Sequence, residues 1–280
     1  MNNFDPGLYI VSTPIGNLDD ITLRSLDVLK KSDIILCEDT RRSLKLLNHF
    51  NIKKKLISYH KFNEKKEVSK IIKHLNEGKI LSLISDAGTP LISDPGHLLV
   101  KECIKSNIDI FPIPGASSIT ASVSVSGFED RFLFYGFLPK TQKELEKILT
   151  ELKDIDFSIV FFIPSIKINF YLKSFKIYFS GRNILIAREI TKIHETYYRE
   201  SMDSIKLFNS NLKGELTVVI SKKYNNNNII NDIEIKKQAM QYLQKYSLKD
   251  VVELISKKEN ISKNKVYKIC LSLKKNEEIS

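Results

Sequence analysis

Short runs of β-branched and other apolar residues alternate with amphipathic segments over the first half of the chain. The runs predict strands at Leu8–Ser12, Ile34–Cys37, Leu56–Ser58, Ile80–Ile84, Ile108–Pro112 and Phe132–Tyr135. The segments between them predict helices at Ile21–Lys31 (capped by Asp20), Arg41–Phe50, Lys65–Glu77, Leu98–Ser106 and Ser118–Ser126. This alternation predicts an α/β fold of βαβ units, in which a mostly parallel sheet carries helices on both faces.

A second α/β stretch follows between about Thr141 and Ser221. Its pattern predicts a helix near Gln142–Leu152 and strands at Ser158–Phe162, Ile184–Arg188 and Glu215–Ser221. Glycine and proline in Gly136–Lys140 interrupt both periodicities and indicate a hinge between the two halves. We therefore predict two α/β subdomains, an N-terminal one at residues 1–136 and a second one at residues 137–224.

The last fifth of the chain has a purely helical pattern. Three apolar stripes predict short helices at Ile235–Tyr246, Leu248–Lys257 and Lys263–Leu273. Ser247 and Ser262 stand at N-cap positions, and we interpret the polar run Asn225–Asn228 as a linker. From Lys222 onward there are thirteen lysines and seven acidic residues, so more than half of the net charge of +11 lies here. Residues 225–280 are predicted to form a helix-turn-helix-like module that binds a polyanion such as RNA, although a solvated lysine-rich surface explains the charge equally well.

Composition places the chain among ordinary globular proteins. It has 280 residues, of which 42% are hydrophobic and 28% charged. The longest apolar run, Ile159–Ile163, is too short to cross a bilayer, and the N-terminus shows no signal-peptide pattern, so we expect a cytoplasmic protein without membrane association. The three cysteines lie far apart, and no metal-ligand spacing is visible, so we expect neither disulfides nor a metal.

The ten glycines exclude several familiar nucleotide-binding motifs. Gly88 and Gly96 are the closest pair and stand eight residues apart. The motifs G-x-G-x-x-G and G-x-x-x-x-G-K-[ST] need closer glycines, so the common dehydrogenase, kinase and NTPase motifs are absent. The glycine-rich first loop of the commonest methyltransferase fold is absent as well.

Prolines mark the ends of the predicted strands. Those at or just beyond a carboxyl end are Pro14, Pro90, Pro95, Pro112, Pro114 and Pro164. In an open α/β sheet the ligand crevice lies outside these carboxyl ends, so the loops Thr13–Asn17, Ser85–Gly96 and Pro112–Ser118 are expected to converge on one pocket. Turn chemistry alone explains any single loop, but three together favour a rigid pocket that holds a flat, polar ligand by main-chain groups and small side chains.

Four segments occur in this order and spacing in one known family: Leu8–Leu18, Cys37–Arg41, Ser85–Gly96 and Ala187–Lys192. From Leu8 to about Ser221 the chain resembles the ribosomal RNA small subunit methyltransferase I family, which belongs to the tetrapyrrole-methylase-like (class III) S-adenosylmethionine-dependent methyltransferases. Its helical tail is similar to the C-terminal helix-turn-helix region of that family. The resemblance implies two α/β subdomains with S-adenosylmethionine in the cleft between them, usually in a homodimer. It also implies methylation of the ribose 2′-oxygen of cytidine 1402 in 16S rRNA, in the decoding centre of the small ribosomal subunit.

The resemblance also implies roles for individual residues. Cofactor contacts are expected from Pro14, Ile15, Asp86, Ala87, Gly88, Thr89, Ile92, Ser93, Pro114, Gly115, Ala116, Ser117, Ser118, Phe162, Ala187, Gly214 and Glu215. Contacts with the RNA substrate are expected from Arg41, Arg188 and Lys192. The chain departs from the family at Ile163–Lys167, where the family has Glu-Ser-Pro-His-Arg, and at Lys61–Phe62, where the family has an acidic residue and a histidine.

The ribose hydroxyl would gain from losing its proton in the transition state, so a general base is expected. Glu38, Asp39, Glu189 and His60 are the candidates. Each carboxylate also has a structural interpretation, because Glu38 and Asp39 can cap the following helix and Glu189 can pair with a neighbouring basic residue. The sequence does not choose among them.

Two other functions remain open at this point. One is methylation of a corrin or porphyrin precursor, which the lysine-rich tail and the Glu38–Arg41 segment disfavour. The other is a non-enzymatic rRNA-binding assembly factor that kept the fold, for which the departure at Ile163–Lys167 leaves room.

Overall fold

In the computed structural model, which describes residues 4–210, 212–223, 232–259 and 261–277, the chain forms two five-stranded sheets and a group of three helices. Both sheets lie in one unit, Met1–Lys223, and the three helices lie in a second, Tyr224–Ser280. This agrees with the predicted fold class of two α/β parts followed by a helical region.

The first sheet consists of β1 (Gly7–Val11), β2 (Ile34–Cys37), β3 (Lys55–Ser58), β4 (Ile80–Ile84) and β5 (Ile110–Ile113). Its strand order is β3-β2-β4-β1-β5, and all its neighbouring strands are parallel. All five carboxyl ends therefore meet at one edge. Pro112 lies within β5 rather than at its end, which an edge strand tolerates because proline has no N–H to donate to a ladder.

Helices cover both faces of the first sheet, as predicted. The helices of this region are α1 (Leu23–Lys31), α2 (Thr40–His49), α3 (Glu64–Asn76), α4 (His97–Lys105) and α5 (Ser118–Ser124). Side chains of α1 and α2 join the core on one face, and side chains of α3 and α4 join the core on the other. The predicted cap of α1 is corrected: Thr22 accepts a hydrogen bond from the N–H of Ser25 at 3.0 Å, and Asp20 belongs to a preceding 3-10 turn, Leu18–Asp20.

The second sheet consists of β6 (Phe132–Phe137), β7 (Ser158–Pro164), β8 (Asn183–Arg188), β9 (Thr196–Ser201) and β10 (Glu215–Ile220). Its order is β6-β7-β10-β8-β9, with β6 and β7 parallel and the other neighbours antiparallel. The pattern grouped β6 with the first half, but it pairs with β7. Alternation along the chain does not indicate which sheet a strand joins, since that depends on its long-range partner.

Helices also cover both faces of the second sheet. On one face lie α6 (Gln142–Leu152) and α7 (Ile168–Tyr178), which share an aromatic-rich core with β7 and β10. On the other lies α5, whose Ile119 packs with Val160, Leu185 and Val219. A helix that follows the last strand of the first sheet thus covers the second sheet, and this contact joins the two halves.

The helical unit contains α8 (Asp232–Leu243), α9 (Leu248–Glu259) and α10 (Lys263–Glu277), packed around their own apolar core. Both predicted caps are present: the Ser247 hydroxyl accepts from the N–H of Asp250 at 3.3 Å, and that of Ser262 from the N–H of Lys265 at 3.4 Å. The predicted linker Asn225–Asn228 lies outside the described residues. Throughout the described ranges, every helix is too short or too polar to cross a membrane.

Candidate functional site

A cavity of about 400 Å³ lies where the carboxyl edge of the first sheet faces the second sheet. Its lining comes from both sheets: Ile15, Arg42, Asp86, Ala87, Gly88, Thr89, Ile92, Ser93, Asp94, Ser117, Ser118, Ile119, Phe137, Phe162, Ile163, Pro164, Ile190, Gly214, Glu215, Leu216 and Thr217. The three loops that the prolines indicated do meet here. The size is in the range of small-molecule and cofactor sites.

Direct hydrogen bonds tie together the first-sheet loops that line the cavity. Thr13 and Gly88 exchange two main-chain hydrogen bonds, of 2.9 and 3.0 Å, between the loops after β1 and β4. The hydroxyls of Ser12 and Thr89 lie 2.9 Å apart and join the same loops. A Cβ on Gly115 would lie 2.8 Å from the Cβ of Ser12, so the loop after β5 also needs close approach to β1. These contacts fix the first-sheet wall by backbone and small side chains.

The loop after β4 holds an unusual backbone conformation. Leu91 and Ser93 have left-handed φ angles of 71° and 67°, which cost non-glycine residues about 1–2 kcal/mol each. The His97 ring lies 3.0 Å from the Leu91 carbonyl oxygen and braces the turn. Strain of this kind concentrates at binding sites, and here it places Ile92 and Ser93 in the cavity lining.

The second-sheet wall is held by charged side chains. The Glu189 carboxylate accepts a hydrogen bond from the N–H of Glu215 at 2.9 Å and from the Lys192 ammonium at 3.0 Å. Lys192 also contacts the Glu215 carboxylate at 2.9 Å. Gly214, with φ +96°, faces this cluster, and a Cβ there would overlap the Glu189 side chain. Burial alone would raise the pKa of Glu189, but the bonds from Glu215 and Lys192 hold it below its usual range.

The second-sheet loop also rests against the first-sheet side. The Thr191 hydroxyl accepts a hydrogen bond from the N–H of Asn17 at 3.0 Å. A Cβ on Gly16 would lie 2.7 Å from that hydroxyl oxygen. The loop between β8 and β9 thus bridges the two sides of the cavity.

Three charged residues of the first half line the cavity: Arg42, Asp86 and Asp94. Arg42 pairs with Asp86 at 3.2 Å, and the other Asp86 oxygen accepts from the N–H of Asp39 at 3.3 Å. Burial is the largest cause that raises the pKa of Asp94 to about 6, with the negative charges of Glu38 and Asp86 adding to it and a hydrogen bond from Ser85 opposing it. Asp94 therefore changes charge near neutral pH, inside the cavity.

The predicted base candidates differ in their surroundings. Asp39 caps α2, accepting from the N–H of Arg41 at 2.8 Å, and its carboxylate pairs with the Arg41 guanidinium at 2.8 Å. The hydrogen bonds from Arg41 hold the pKa of Asp39 far below its usual range. Glu189 is committed to Lys192 and Glu215, whereas Glu38 is half-buried and forms no ion pair with another described residue.

Most of the predicted cofactor contacts line the cavity, and five of them do not. Gly115 and Ala116, with Ile15 and Ser117, line a neighbouring depression of about 460 Å³. Ala187 is buried in the core beneath α5, and neither Pro14 nor Pro114 belongs to either lining. Arg41 is exposed, Lys192 is paired, and the Arg188 guanidinium donates to the Lys213 carbonyl at 2.7 Å, beside the Gly214 turn. Their contacts with RNA stay a prediction.

Sequence reasoning did not assign part of the lining. The additional residues are Arg42, Ile119, Phe137, Ile163, Pro164, Ile190, Leu216 and Thr217, whereas Asp94 belongs to the Ser85–Gly96 loop that the sequence assigned to the pocket. Several directly continue a predicted strand or loop, so extension of each segment by one or two residues would have found them. Among the described residues, His, Cys, Asp and Glu form no group that could hold a metal ion.

The chain is similar in sequence to one described family and to relatives that share one name. The family described as Tetrapyrrole (Corrin/Porphyrin) Methylases matches residues 7–206. A ribosomal RNA small subunit methyltransferase I of Mesomycoplasma conjunctivae is 46% identical over 218 residues, which cover 77% of this chain and 91% of that protein. The protein of the same name from Rickettsia prowazekii is 43% identical over 269 residues, covering 94% of this chain and 95% of its own.

Solved structures share the fold. The crystal structure of a uroporphyrin-III C-methyltransferase from Thermus thermophilus, complexed with S-adenyl homocysteine, superposes with a TM-score of 0.53. The match covers 76% of this chain and 96% of that one at 14% identity, so it carries the fold alone. The resemblance and the fold class expected from the sequence are thereby confirmed.

Proposed function

This chain belongs to the ribosomal RNA small subunit methyltransferase I family of tetrapyrrole methylases, and from that membership we propose that it methylates small-subunit ribosomal RNA with S-adenosylmethionine. The acceptor atom that we propose is the ribose 2′-oxygen of cytidine 1402 in 16S rRNA. The identity to relatives of that name, along nearly the full chain in one case, favours RNA over a corrin or porphyrin substrate.

One structural observation carries the proposal: loops at the strand ends of both sheets line one cavity that combines large apolar side chains with glycines, hydroxyls and a few charged groups. The lining fits the chemical groups of S-adenosylmethionine. Apolar Ile15 and Phe162 suit a flat base, and the hydroxyls of Ser93 and Ser117 suit polar ribose and amino-acid groups. Asp94 supplies the negative charge that a sulfonium favours.

The cofactor, when bound, supplies an activated methyl group on a sulfonium sulfur, so the carbon–sulfur bond breaks as the ribose oxygen–carbon bond forms. The contribution of the protein is to hold the two reactants in line and to keep water away. The rigid first-sheet wall, with its Thr13–Gly88 bridge, holds the cofactor side. The charged rim formed by Glu38–Arg42 and by Arg188–Lys192 faces the RNA in this proposal.

The proton of the ribose hydroxyl has to pass to an acceptor. Asp39 and Glu189 already accept hydrogen bonds from cationic side chains, and their pKa values are lowered, which makes them weak bases. Glu38 carries no such partner among the described residues, and its charge influences Asp94 in the cavity. We therefore favour Glu38 as the base among the three carboxylates.

Incubation of the protein with labelled S-adenosylmethionine and small ribosomal subunits that lack the modification tests the function. The expected product is one 2′-O-methylcytidine per subunit, which nucleoside mass spectrometry identifies. Methylation of uroporphyrinogen instead would establish the tetrapyrrole alternative. RNA binding without methyl transfer would establish the assembly-factor alternative.

Residues 225–280 are proposed to bind rRNA through their lysines. Each phosphate that a protein neutralises adds about 0.9 to the slope of log affinity against log salt concentration. Removal of residues 224–280 is expected to weaken rRNA binding and to flatten this slope, while the affinity for S-adenosylmethionine stays unchanged. Filter binding of rRNA at several salt concentrations measures both the rRNA affinity and the salt slope. An unchanged slope would show that the helices serve another purpose, such as the homodimer contact that the family resemblance implies.

A further inference from the structure

Phe62 is the most exposed aromatic side chain of the described residues. Its relative exposure is 93%, although burial of a phenylalanine ring stabilises a protein by about 1.5–3 kcal/mol. The centroid of its ring lies 6.0 Å from the centroid of the His60 ring, in an edge-on arrangement. A single exposed apolar side chain is ordinary on a protein surface, so the loop and the charges around Phe62 decide whether the ring has a binding role.

The loop that carries Phe62 is firmly built. The Asn63 side chain accepts from the N–H of His60 at 2.8 Å and donates to the Ser58 carbonyl at 2.9 Å. The N–H of Phe62 lies 3.2 Å from Nδ1 of His60, and the N–H of Glu64 donates to the His60 carbonyl at 3.0 Å. These bonds hold the loop with Phe62 facing solvent, so a partner that binds the ring does not first have to order the loop.

The Phe62 loop lies at the same edge of the first sheet as the cavity. It follows β3, which is parallel to β2, so Ser58 and Cys37 end side by side. The Ser58 hydroxyl donates to the Glu38 carbonyl at 3.4 Å. The next residue, Asp39, donates its N–H to Asp86, which lines the cavity. Three neighbouring loops therefore connect the ring to the site where methyl transfer is proposed.

In the segment around Phe62, lysines outnumber the acidic residues Glu64 and Glu67. Lys61, Lys65 and Lys66 are exposed, and none of them pairs with an acidic side chain among the described residues, in contrast to Lys70, which pairs with Glu67 at 3.2 Å. Unpaired lysines around an exposed ring match the alternation of phosphates and flat bases in single-stranded RNA. They do not match an apolar surface on a second protein, because binding there would desolvate the ammonium groups.

We propose that Phe62 is a stacking surface for an unpaired base of the RNA substrate, with Lys61, Lys65 and Lys66 contacting the adjacent phosphates. The proposal rests on the proposed function, since it names how that substrate is held. It assigns Phe62 to substrate binding and gives it no part in the chemistry.

The chain contains no tryptophan, which permits a direct test. In the Phe62→Trp variant the single indole reports on its own surroundings, and a stacked base quenches its fluorescence. Titration with a short oligocytidylate is expected to quench strongly, and a duplex RNA of equal length to quench weakly, because its bases are already stacked. The matched control is Ile104→Trp, 64% exposed near the end of α4 and remote from the carboxyl edge, which is expected to show little quenching. Equal quenching of the two indoles would overturn the proposal.

Methylation of small subunits supplies a second, independent measurement. Loss of one stacked base by Phe62→Ala is expected to raise KM for subunits by about tenfold or more, with kcat and cofactor affinity nearly unchanged, and Phe62→Tyr is expected to restore KM. An unchanged KM in Phe62→Ala would refute the stacking role while wild-type methylation still stood. A lowered dimer stability in sedimentation with KM intact would assign the ring to a second copy of the chain instead. Absence of methylation by the wild-type protein would refute the proposed function itself.

Discussion

The loops of the first-sheet wall are joined to one another by main-chain and hydroxyl hydrogen bonds, beside the separate Arg42–Asp86 ion pair, whereas the second-sheet wall is held by charged side chains. On the first wall, Thr13 and Gly88 exchange main-chain bonds, and the hydroxyls of Ser12 and Thr89 lie 2.9 Å apart. On the second wall, Glu189 and Lys192 pair at 3.0 Å beside the Gly214 turn. The two walls are therefore held in place by different kinds of interaction.

This difference predicts how each wall should respond to substitutions and to salt. Bonds between neutral groups close to the backbone respond weakly to salt, and a change on the first wall should act through geometry. The second wall depends on partly exposed ion pairs and on the space that one glycine leaves for a carboxylate. A small added group at that glycine should therefore do more damage than the loss of a hydroxyl on the first wall.

The largest effect is expected from Gly214→Ala. The new methyl group would overlap the Glu189 side chain, and φ at this position is +96°, so both the clash and the backbone strain act. We expect a loss of about 2 kcal/mol or more in unfolding free energy and an affinity for S-adenosylmethionine reduced by about tenfold or more. Chemical denaturation and isothermal titration calorimetry measure the two quantities.

Gly181→Ala is the matched control, because Gly181 has a similar φ of +74° but nothing within 4 Å of an added Cβ. It should show the backbone strain alone and leave cofactor binding intact. In addition, Glu189→Ala should lower the free energy of unfolding less in the Gly214→Ala background than in the wild type, because it removes the group that clashes. Equal effects of the two glycine variants would contradict the proposed role of Glu189 in shaping this wall.

An intermediate effect is expected from Asp94, the cavity carboxylate on the first wall. Its pKa is raised to about 6, so it is mainly neutral at lower pH and mainly negative at higher pH. A negative charge favours the sulfonium cation, so affinity for S-adenosylmethionine should rise as pH increases from about 5 to about 7, by roughly fivefold. S-adenosylhomocysteine, whose sulfur is neutral, should show a weaker rise. Calorimetry of both ligands across this range gives the comparison.

Asp94→Asn should remove the difference in pH response between the two ligands. The same titration affects stability: because the native pKa lies above that of the unfolded chain, the native state binds more protons between about pH 4 and about pH 6. Stability from this group is therefore greatest below that window and is lost as pH rises through it, and Asp94→Asn should flatten the slope. If the two ligands still differed in their pH response in Asp94→Asn, the difference would belong to a group other than Asp94.

The first wall was more accessible to sequence analysis than the second. The predicted bounds of β2 (Ile34–Cys37) and β4 (Ile80–Ile84) agree with the structure, because continuous apolar runs of this length are typical of buried parallel strands. Since the carboxyl ends of parallel strands share one edge of the sheet, the sequence alone predicts that the loops after these strands converge. The proline-marked loops containing Gly88 and Ser117 do line the cavity.

The second wall depends on features that local patterns do not contain. No helix was predicted at α7 (Ile168–Tyr178), whose apolar residues lie on nearly all sides, and no strand at β9 (Thr196–Ser201), a polar edge strand. The antiparallel pairing of β10 with β7 and β8 brings Leu216 and Thr217 to the cavity, and this pairing is long-range. The pattern predicted the Glu215–Ser221 strand, but the cofactor contacts of Gly214 and Glu215 were expected through the family resemblance.

The smallest effect is expected from Thr89→Val, which removes one neutral hydrogen bond from the first wall and keeps the side-chain shape. Thr89 Oγ1 lies 2.9 Å from the Ser12 hydroxyl, and an ordinary hydrogen bond contributes about 1 kcal/mol. Affinity for S-adenosylmethionine should fall by about fivefold at most, and Thr89→Ser should retain it. Because no charge is involved, the ratio of wild-type to variant affinity should be the same at low and high salt.

Lys192→Met supplies the opposite case on the second wall. It removes a partly exposed ammonium that contacts Glu189 and Glu215, so its effect on cofactor affinity should shrink as salt screens the pairs in the wild type. Calorimetry of the two variants at low and high salt compares the walls directly. If Thr89→Val showed the stronger salt dependence, or if both responded alike, the distinction between loops joined by neutral hydrogen bonds and a wall held by ion pairs would be wrong.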